Sequence, residues 1–309
     1  MKVQFRDTRW YTPIGASPNI RLRYGHWKPK GESRGTAILQ GGRSECMEKH
    51  QENIEALLER GYRVWSLDWR GQGLSSRLLP DRQKGHIDSF ETFLHDFHGF
   101  IEDIVVPESG RPEVIIAHSM GGHILMRYLH CYPHATRQAV FVSPMTAINH
   151  WPAPERPLMA TTESACRAGL SNSFGLGQRT WNESNCNFTG NPLTHDRGRY
   201  QRMLDVYEAE PLLKLGGPTY GWLRAAFHSM RRARPRHYLK RIATPSLLVS
   251  ASADTVVNPD THERAANAMA NCAFLKIHDA KHEILHETDE VRACFFRAFD
   301  RHILKEKRY

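Results

Sequence analysis

The 309-residue chain has no run approaching the ~18 consecutive apolar residues of a membrane-spanning helix, so a helical membrane protein is excluded as its class. Its first residues, Met1-Lys2-Val3-Gln4-Phe5-Arg6-Asp7, contain no apolar h-region. No secretory signal is therefore expected, and the expected location is the cytoplasm, with at most a peripheral contact to the inner face of the membrane. Asn182-Glu183-Ser184 and Asn187-Phe188-Thr189 match the N-glycosylation pattern but are read as chance for the same reason. Cysteine is sparse and scattered. Cys46, Cys131, Cys166, Cys186, Cys272 and Cys294 show no C-x-x-C spacing and no clustered ligand partners, which argues against a zinc site and fits reduced thiols. No metal or cofactor is expected. Internal repeats and low-complexity segments are absent. No RNA- or DNA-binding motif accompanies the net charge of +9, so nucleic acid is not an expected partner. A basic surface of this kind favours anionic partners such as phospholipid head groups.

What is present is an ordinary globular balance, 40% hydrophobic and 24% charged, enough for a sizeable core. A lead-in hairpin is expected within 1–34, with Ile20 to Tyr24 alternating as a half-exposed strand. Strands are then expected at Gly35–Leu39, Tyr62–Leu67, Val114–Ile116 and Ala139–Val142, with helices at Glu48–Arg60, Ser89–Val105 and His123–His130 between them. This β-α-β rhythm implies a mostly parallel sheet with helices on both faces. The rhythm stops from about 146 to 235, where no clear apolar strand occurs. It resumes with a strand at Ser246–Ser250, a helix near Thr261–Met269, a strand at Ala273–Ile277 and a helix at about Glu290–Leu304. The simplest organisation is an α/β core (1–145 and 236–309) interrupted by an inserted cap (146–235).

The most informative stretch is Pro112 to Ile124. A β-branched run, Val114-Ile115-Ile116, leads into Ala117-His118-Ser119-Met120-Gly121-Gly122 and then a helical pattern. Strand, sharp turn with serine at its tip, then helix is the nucleophile elbow of the α/β-hydrolases. Gly121 meets the demand for a small residue two after the serine, and Ala117 stands where the pattern has glycine. A serine hydroxyl needs a base and a carboxylate that orients the base, and in this fold the chain order is Ser, Asp or Glu, His. Asp254 directly follows the Ser246–Ser250 strand and is the expected acid. Its competitor Asp260 follows Asn258-Pro259 and suits the first turn of a helix. Of His278, His282 and His286, the middle one lies at the loop tip and is the expected base; His286 is expected to cap or pack. His118 is expected to be a packing or hydrogen-bonding neighbour pointing away from Ser119. For the oxyanion, the expected backbone donors are Met120 and Gly42, with Arg43 as the alternative to Gly42.

With these residues together, the chain resembles the serine α/β-hydrolases of the monoacylglycerol lipase and bacterial lysophospholipase L2 type, the serine aminopeptidase S33 or Hydrolase-4 group. The matching segments are Asp68-Trp69-Arg70-Gly71-Gln72-Gly73-Leu74-Ser75, Ala117 to Gly122, Ser252-Ala253-Asp254 and Ala280-Lys281-His282-Glu283-Ile284-Leu285-His286-Glu287. The bacterial lysophospholipase-like members are nearer in Gly42-Arg43-Ser44-Glu45 and in Lys84-Gly85-His86, whereas Gln40-Gly41 stands where monoacylglycerol lipases have His-Gly. The resemblance implies a Ser119, Asp254 and His282 triad, cofactor-free ester hydrolysis, and a cap that shapes an acyl-chain site.

The inserted segment carries Trp151, Phe174, Trp181, Phe188, Tyr200, Tyr207, Tyr220, Trp222 and Phe227, which suit either an acyl chain or a small core of the cap's own. Met230-Arg231-Arg232-Ala233-Arg234-Pro235-Arg236-His237 with Lys240-Arg241 is strongly basic; it is either a solvated face or a rim that meets anionic lipid. The expected function is a serine hydrolase of single-acyl lipid esters, lysophospholipid or monoacylglycerol. A carboxylesterase of short soluble esters is the enzymatic alternative. A non-catalytic binding protein of the same fold is the distant one.

Overall fold

The computed structural model describes residues 3–149, 155–182 and 186–306. Trp151 and, of the first glycosylation-like triplet, Glu183 and Ser184 lie outside the described residues.

The architecture follows from what the strands bury. Eight strands form one sheet: β1 (Arg9–Tyr11), β2 (Leu22–Trp27), β3 (Gly35–Gln40), β4 (Tyr62–Leu67), β5 (Val114–His118), β6 (Gln138–Val142), β7 (Ser246–Ala251) and β8 (Cys272–Ile277). Their order is β1-β2-β4-β3-β5-β6-β7-β8, antiparallel from β1 to β4 and parallel from β4 to β8. Side chains alternate between the two faces of a strand, and here both faces are apolar. Ile38, Trp65, Ile115, Phe141 and Leu248 enter one core, while Leu39, Val64, Ile116, Val140 and Val249 enter the other. The first core is closed by helices α2 (Phe90–Gly99), α4 (Ser119–Cys131), α7 (Tyr220–Ala233) and α9 (Asp260–Ala268). The second is closed by α1 (Gln51–Glu59) and α10 (Asp289–Glu306). This is the α/β-hydrolase fold that the rhythm implies.

Several boundaries differ from the sequence reading, each for a local reason. The expected half-exposed strand at Ile20–Tyr24 starts at Leu22 and is almost wholly buried, because β1 and β4 flank it. Arg23 is tolerated there because its guanidinium reaches Asp68 (Nε, 2.8 Å) and Glu48 (2.7 and 2.8 Å). The helix expected from Glu48 opens with a 3-10 turn at Met47–His50 before α1, and stops at Gly61, whose φ of +82° suits glycine. Ser89 caps α2 by accepting the Glu91 N–H, but the long helix changes to π geometry at Phe100–Val105, followed by the short α3 (Val106–Ser109).

Among the described residues, the chain between β6 and β7 contains no strand. It supplies α5 (Glu155–Arg167), α6 (Arg197–Ala209), α7 and α8 (Arg236–Leu239). Its aromatics divide between a small core of their own, as expected, and the main core, which was not expected. Trp222 and Phe227 join the main core, whereas Tyr200 and Tyr207 form a small cluster with Met203, Leu213 and Cys46, against which Trp181 and Phe188 pack. All six cysteines are free thiols.

Asp68 ties the N-terminal strands to the rest. Besides Arg23 it accepts the N–H groups of Met47 (3.1 Å) and Leu74 (2.9 Å), and a Cβ on Gly73 would lie 2.2 Å from its carboxylate. Removing one member of a buried ion pair leaves a charge uncompensated and costs about 3–5 kcal/mol. Arg23→Met is therefore expected to lower unfolding free energy by that amount; a urea midpoint within error of wild type would contradict it.

Candidate active site

The elbow is built by close approach. Ser119 has φ +49°, a left-handed conformation that costs a non-glycine residue about 1–3 kcal/mol. It is held because β5 ends and α4 begins at this one residue; the helix starts at Ser119, four residues before the expected His123. A Cβ on Gly121 would lie 2.4 Å from the Gly41 carbonyl oxygen, so α4 and the loop after β3 touch through backbone there. Ala117 is fully buried, and its methyl fits in the first core.

The three sequence-predicted side chains come together across the carboxyl ends of three strands. His282 Nε2 lies 2.9 Å from Ser119 Oγ, and His282 Nδ1 lies 2.6 Å from Asp254 Oδ2. All three are buried, with exposures of 7%, 4% and 5% for Ser119, His282 and Asp254. The other oxygen of Asp254 accepts the N–H groups of Val256 (2.8 Å) and Val257 (3.0 Å). Burial pushes the Asp254 carboxyl up, but the His282 hydrogen bond and charge, with those two N–H groups, hold it below its ordinary value. An ionised, fixed Asp254 sets Nδ1–H on His282 and leaves Nε2 free to accept the serine proton. Asp260 lies in the first turn of α9, with its N–H on Asn258 Oδ1, and takes no part.

The loop that holds His282 is tied down by Glu287. This fully buried carboxylate accepts the N–H of Lys281 (2.8 Å), the N–H of His195 (3.0 Å) and the His195 ring (2.8 Å). His286 packs inside, with Nε2 3.0 Å from the Lys49 carbonyl.

The oxyanion side departs from expectation at one residue. Gly42 does approach the nucleophile: a Cβ there would lie 2.9 Å from Ser119 Cβ. Its N–H, however, is donated to Glu45 Oε2, so Gly42 is not a free oxyanion donor in this conformation. The backbone N–H of Arg43, the alternative, has no acceptor among the described residues. Met120 N–H is one of the first N–H groups of α4, which have no intrahelical acceptor. The loop itself is positioned by the glycine-rich segment after β4. Trp69 Nε1 donates to the Gly41 carbonyl (2.8 Å), and Gln72 Oε1 accepts the Ser44 N–H (2.5 Å).

Beneath the nucleophile lies an ionic cluster that sequence reasoning missed. Glu45 is within 3.1 Å of both His118 Nδ1 and His50 Nε2, and 3.3 Å from Lys49 Nζ; Lys49 also reaches Glu283 at 2.5 Å. His118 Nε2 lies 3.2 Å from the His282 carbonyl oxygen. Carboxylate and carbonyl can only accept, so both His118 nitrogens carry protons and the ring is an imidazolium. Burial alone would push His118 down, but Glu45, by charge and hydrogen bond, holds it above the ordinary histidine value. Burial would push Glu45 up, but His118, Lys49 and His50 hold it well below its ordinary value. Glu45, Glu283 and His286 are close enough to offer ligands to a metal ion, but the Lys49 ammonium already bridges the two carboxylates. The sequence signal for this cluster was slight: Glu45 three residues after the glycine pair and His118 next to Ser119.

Ser119 opens into a cavity of about 600 Å³ lined by Arg43, Gln178, Trp181, Asn191, Tyr200 and Tyr207 among others. A larger cavity of about 970 Å³, lined by residues such as His123, Met126, Arg234 and Arg264, does not include Ser119. Ser119 and His282 line the smaller one and not the larger.

Residues 31–289 match the family described as serine aminopeptidase, S33 (Hydrolase 4). Lysophospholipase L2 of Escherichia coli K12 is 31% identical over 310 residues, covering 96% of this chain and 88% of its own. Human monoglyceride lipase is 23% identical, covering 88% of this chain and 82% of its own. Among solved structures, a soluble variant of Saccharomyces cerevisiae monoglyceride lipase, in complex with a substrate analog, superposes with a TM-score of 0.74. It covers 97% of this chain and 96% of its own at 16% identity, and so speaks for the fold.

A histidine whose folded pKa is raised stabilises fully below its unfolded value of 6.5, and that contribution disappears as pH rises through the folded value. A glutamate with a depressed folded pKa contributes above 4.5 and loses it as pH falls. The His118–Glu45 pair is thus at full strength between those values. His118→Asn is expected to lose about 1.5–3 kcal/mol of stability at pH 5.5 and distinctly less at pH 9, read from urea midpoints. A loss independent of pH would show that His118 is neutral.

Proposed function

The chain belongs to the serine aminopeptidase S33 (Hydrolase 4) family of α/β-hydrolases, and from that premise we propose that it hydrolyses the carboxylic ester of single-acyl lipids, lysophospholipid or monoacylglycerol. The observation that carries the reading is the hydrogen-bonded series Ser119 Oγ, His282, Asp254, at 2.9 and 2.6 Å, on the wall of a cavity.

In the proposed reaction Ser119 Oγ attacks the ester carbonyl while its proton passes to His282 Nε2. The oxyanion is held by the N–H groups of Met120 and Arg43. Collapse of the intermediate expels the alcohol, which takes the proton from His282, and leaves an acyl-Ser119. Water, deprotonated by His282, attacks that ester and releases the fatty acid. Asp254 keeps the imidazole in the required tautomer throughout. Within residues 146–235, the part before α7 acts as the cap: Trp181, Tyr200, Met203 and Tyr207 line the cavity and offer an apolar wall, while Gln178, Thr180 and Asn191 offer a polar one. The relatives' names, lysophospholipase and monoglyceride lipase, support an amphiphilic substrate.

Peripheral membrane contact belongs to the same proposal. No helix among the described residues is long and apolar enough to cross a membrane. Arg231, Arg236, Lys240 and Arg241 are exposed, whereas Arg232 and Arg234 are paired with Glu91 and Glu155. The basic stretch does not line the Ser119 cavity, so it would recruit the enzyme to anionic lipid rather than select the substrate.

Two measurements test this reading. Hydrolysis of monoacylglycerol, lysophosphatidylcholine and short p-nitrophenyl esters is expected to favour the long-chain lipids, with Ser119→Ala at least about a thousandfold slower. A preference for short soluble esters would make the protein a carboxylesterase, and failure of folded protein to label with a fluorophosphonate would remove the nucleophile. Binding to vesicles is expected to require anionic lipid and to weaken with salt; equal binding to neutral vesicles would remove the recruiting role.

A further inference from the structure

Arg43 lines the same cavity as Ser119, and among the described residues no carboxylate pairs with it. Its protein acceptors are both neutral: Nη2 donates to the Gly216 carbonyl (2.5 Å) and Nη1 to Ser44 Oγ (3.0 Å). A guanidinium has five N–H groups. The Nε–H is buried without an acceptor. The group cannot easily swing away. Its carbon lies 5.5 Å from the Trp222 ring centroid, and a Cβ on Gly85 would lie 2.6 Å from Nη2. Burial without a countercharge pushes the Arg43 guanidinium down to about 10, which still leaves it charged at neutral pH.

The carboxylates around Ser119 are matched. Glu45 and Glu283 are answered by Lys49 and the His118 imidazolium, and Asp254 by its bond to His282. Arg43 is left over. A desolvated charge without a partner is costly, and a fixed, unanswered guanidinium beside a reaction centre suits an anion supplied from outside. The planar fork matches phosphate oxygens two at a time. Position also fits: Gly42 lies against Ser119, and Arg43 is the next residue and lines the same cavity.

We propose that Arg43 binds the phosphate of the substrate's head group, so that the substrate class is the lysophospholipid rather than the neutral monoacylglycerol. The proposal rests on the reading of Ser119 as an ester-cleaving nucleophile.

The test compares wild type, Arg43→Gln and Arg43→Lys on 1-oleoyl-lysophosphatidylglycerol and 1-oleoylglycerol in neutral detergent micelles. In Arg43→Gln the ratio of kcat/KM for the phospholipid to that for the neutral ester is expected to fall about 10- to 100-fold, mainly through KM, with partial recovery in Arg43→Lys. An unchanged ratio, including equal loss on both substrates, would overturn the proposal and leave Arg43 as a support for the loop. Calorimetry with sn-glycerol 3-phosphate provides an arm that does not need turnover. Wild type is expected to bind it, and Arg43→Gln at least about tenfold more weakly; no binding to wild type overturns the proposal. Equal binding of inorganic phosphate would assign a simple anion site and overturn the head-group assignment. If wild type hydrolyses no ester at all, the esterase reading fails, while the calorimetry still decides whether Arg43 holds a glycerol phosphate.

Discussion

The site depends on one close contact, that between the start of α4 and the loop after β3. Gly121 lies so near the Gly41 carbonyl that no side chain can come between them. This approach brings Gly42 against Ser119. It also forces Ser119 into a left-handed backbone conformation. The surrounding structure fixes that contact from both sides. Trp69 and Gln72 hold the loop from the β4 side, and two-faced burial of β5 holds the strand that delivers the serine. A strained residue persists only where its neighbours over-determine it, and here they do.

Below that contact the charges are arranged in a chain rather than in separate pairs. Glu45 joins the loop N–H of Gly42 to His118, and His118 joins Glu45 to the backbone of His282. The oxyanion loop, the residue before the nucleophile and the base-bearing loop therefore share one buried carboxylate. Glu287 performs a comparable service on the far side of the His282 loop, linking it to His195 in the segment between β6 and β7. Both carboxylates connect parts of the chain far apart in sequence, so the positions of loop and base are coupled. The Gly42 N–H points to the same coupling: while Glu45 accepts it, Arg43 is the donor left for an oxyanion.

The strands, their parallel order and the meeting of Ser119, His282 and Asp254 at the strand ends follow from local pattern in the sequence. A β-branched run marks a doubly buried strand, and a serine among small residues after such a run marks a tight turn. The strand at Ile20–Tyr24 misled because Arg23 looks like a solvent-facing residue until Asp68 and Glu48 are seen to receive it. The helical pattern begins at His123 while α4 begins at Ser119, because glycines disguise a first turn that is fixed by packing rather than propensity.

By itself, then, the sequence determined the two apolar faces of the sheet and which residue types stand at the ends of its strands, since period and order are properties of the chain alone. Only tertiary structure decided which donors and charges are free. Gly42 and Arg43 are neighbours in sequence with the same kind of backbone N–H, yet one is taken by Glu45 and the other is not. Lys49 and Arg43 are both cations on one cavity wall, yet Lys49 is matched by two carboxylates and Arg43 by none. Availability of a hydrogen bond or a charge depends on what residues from distant parts of the chain leave unsatisfied, and no local pattern records that.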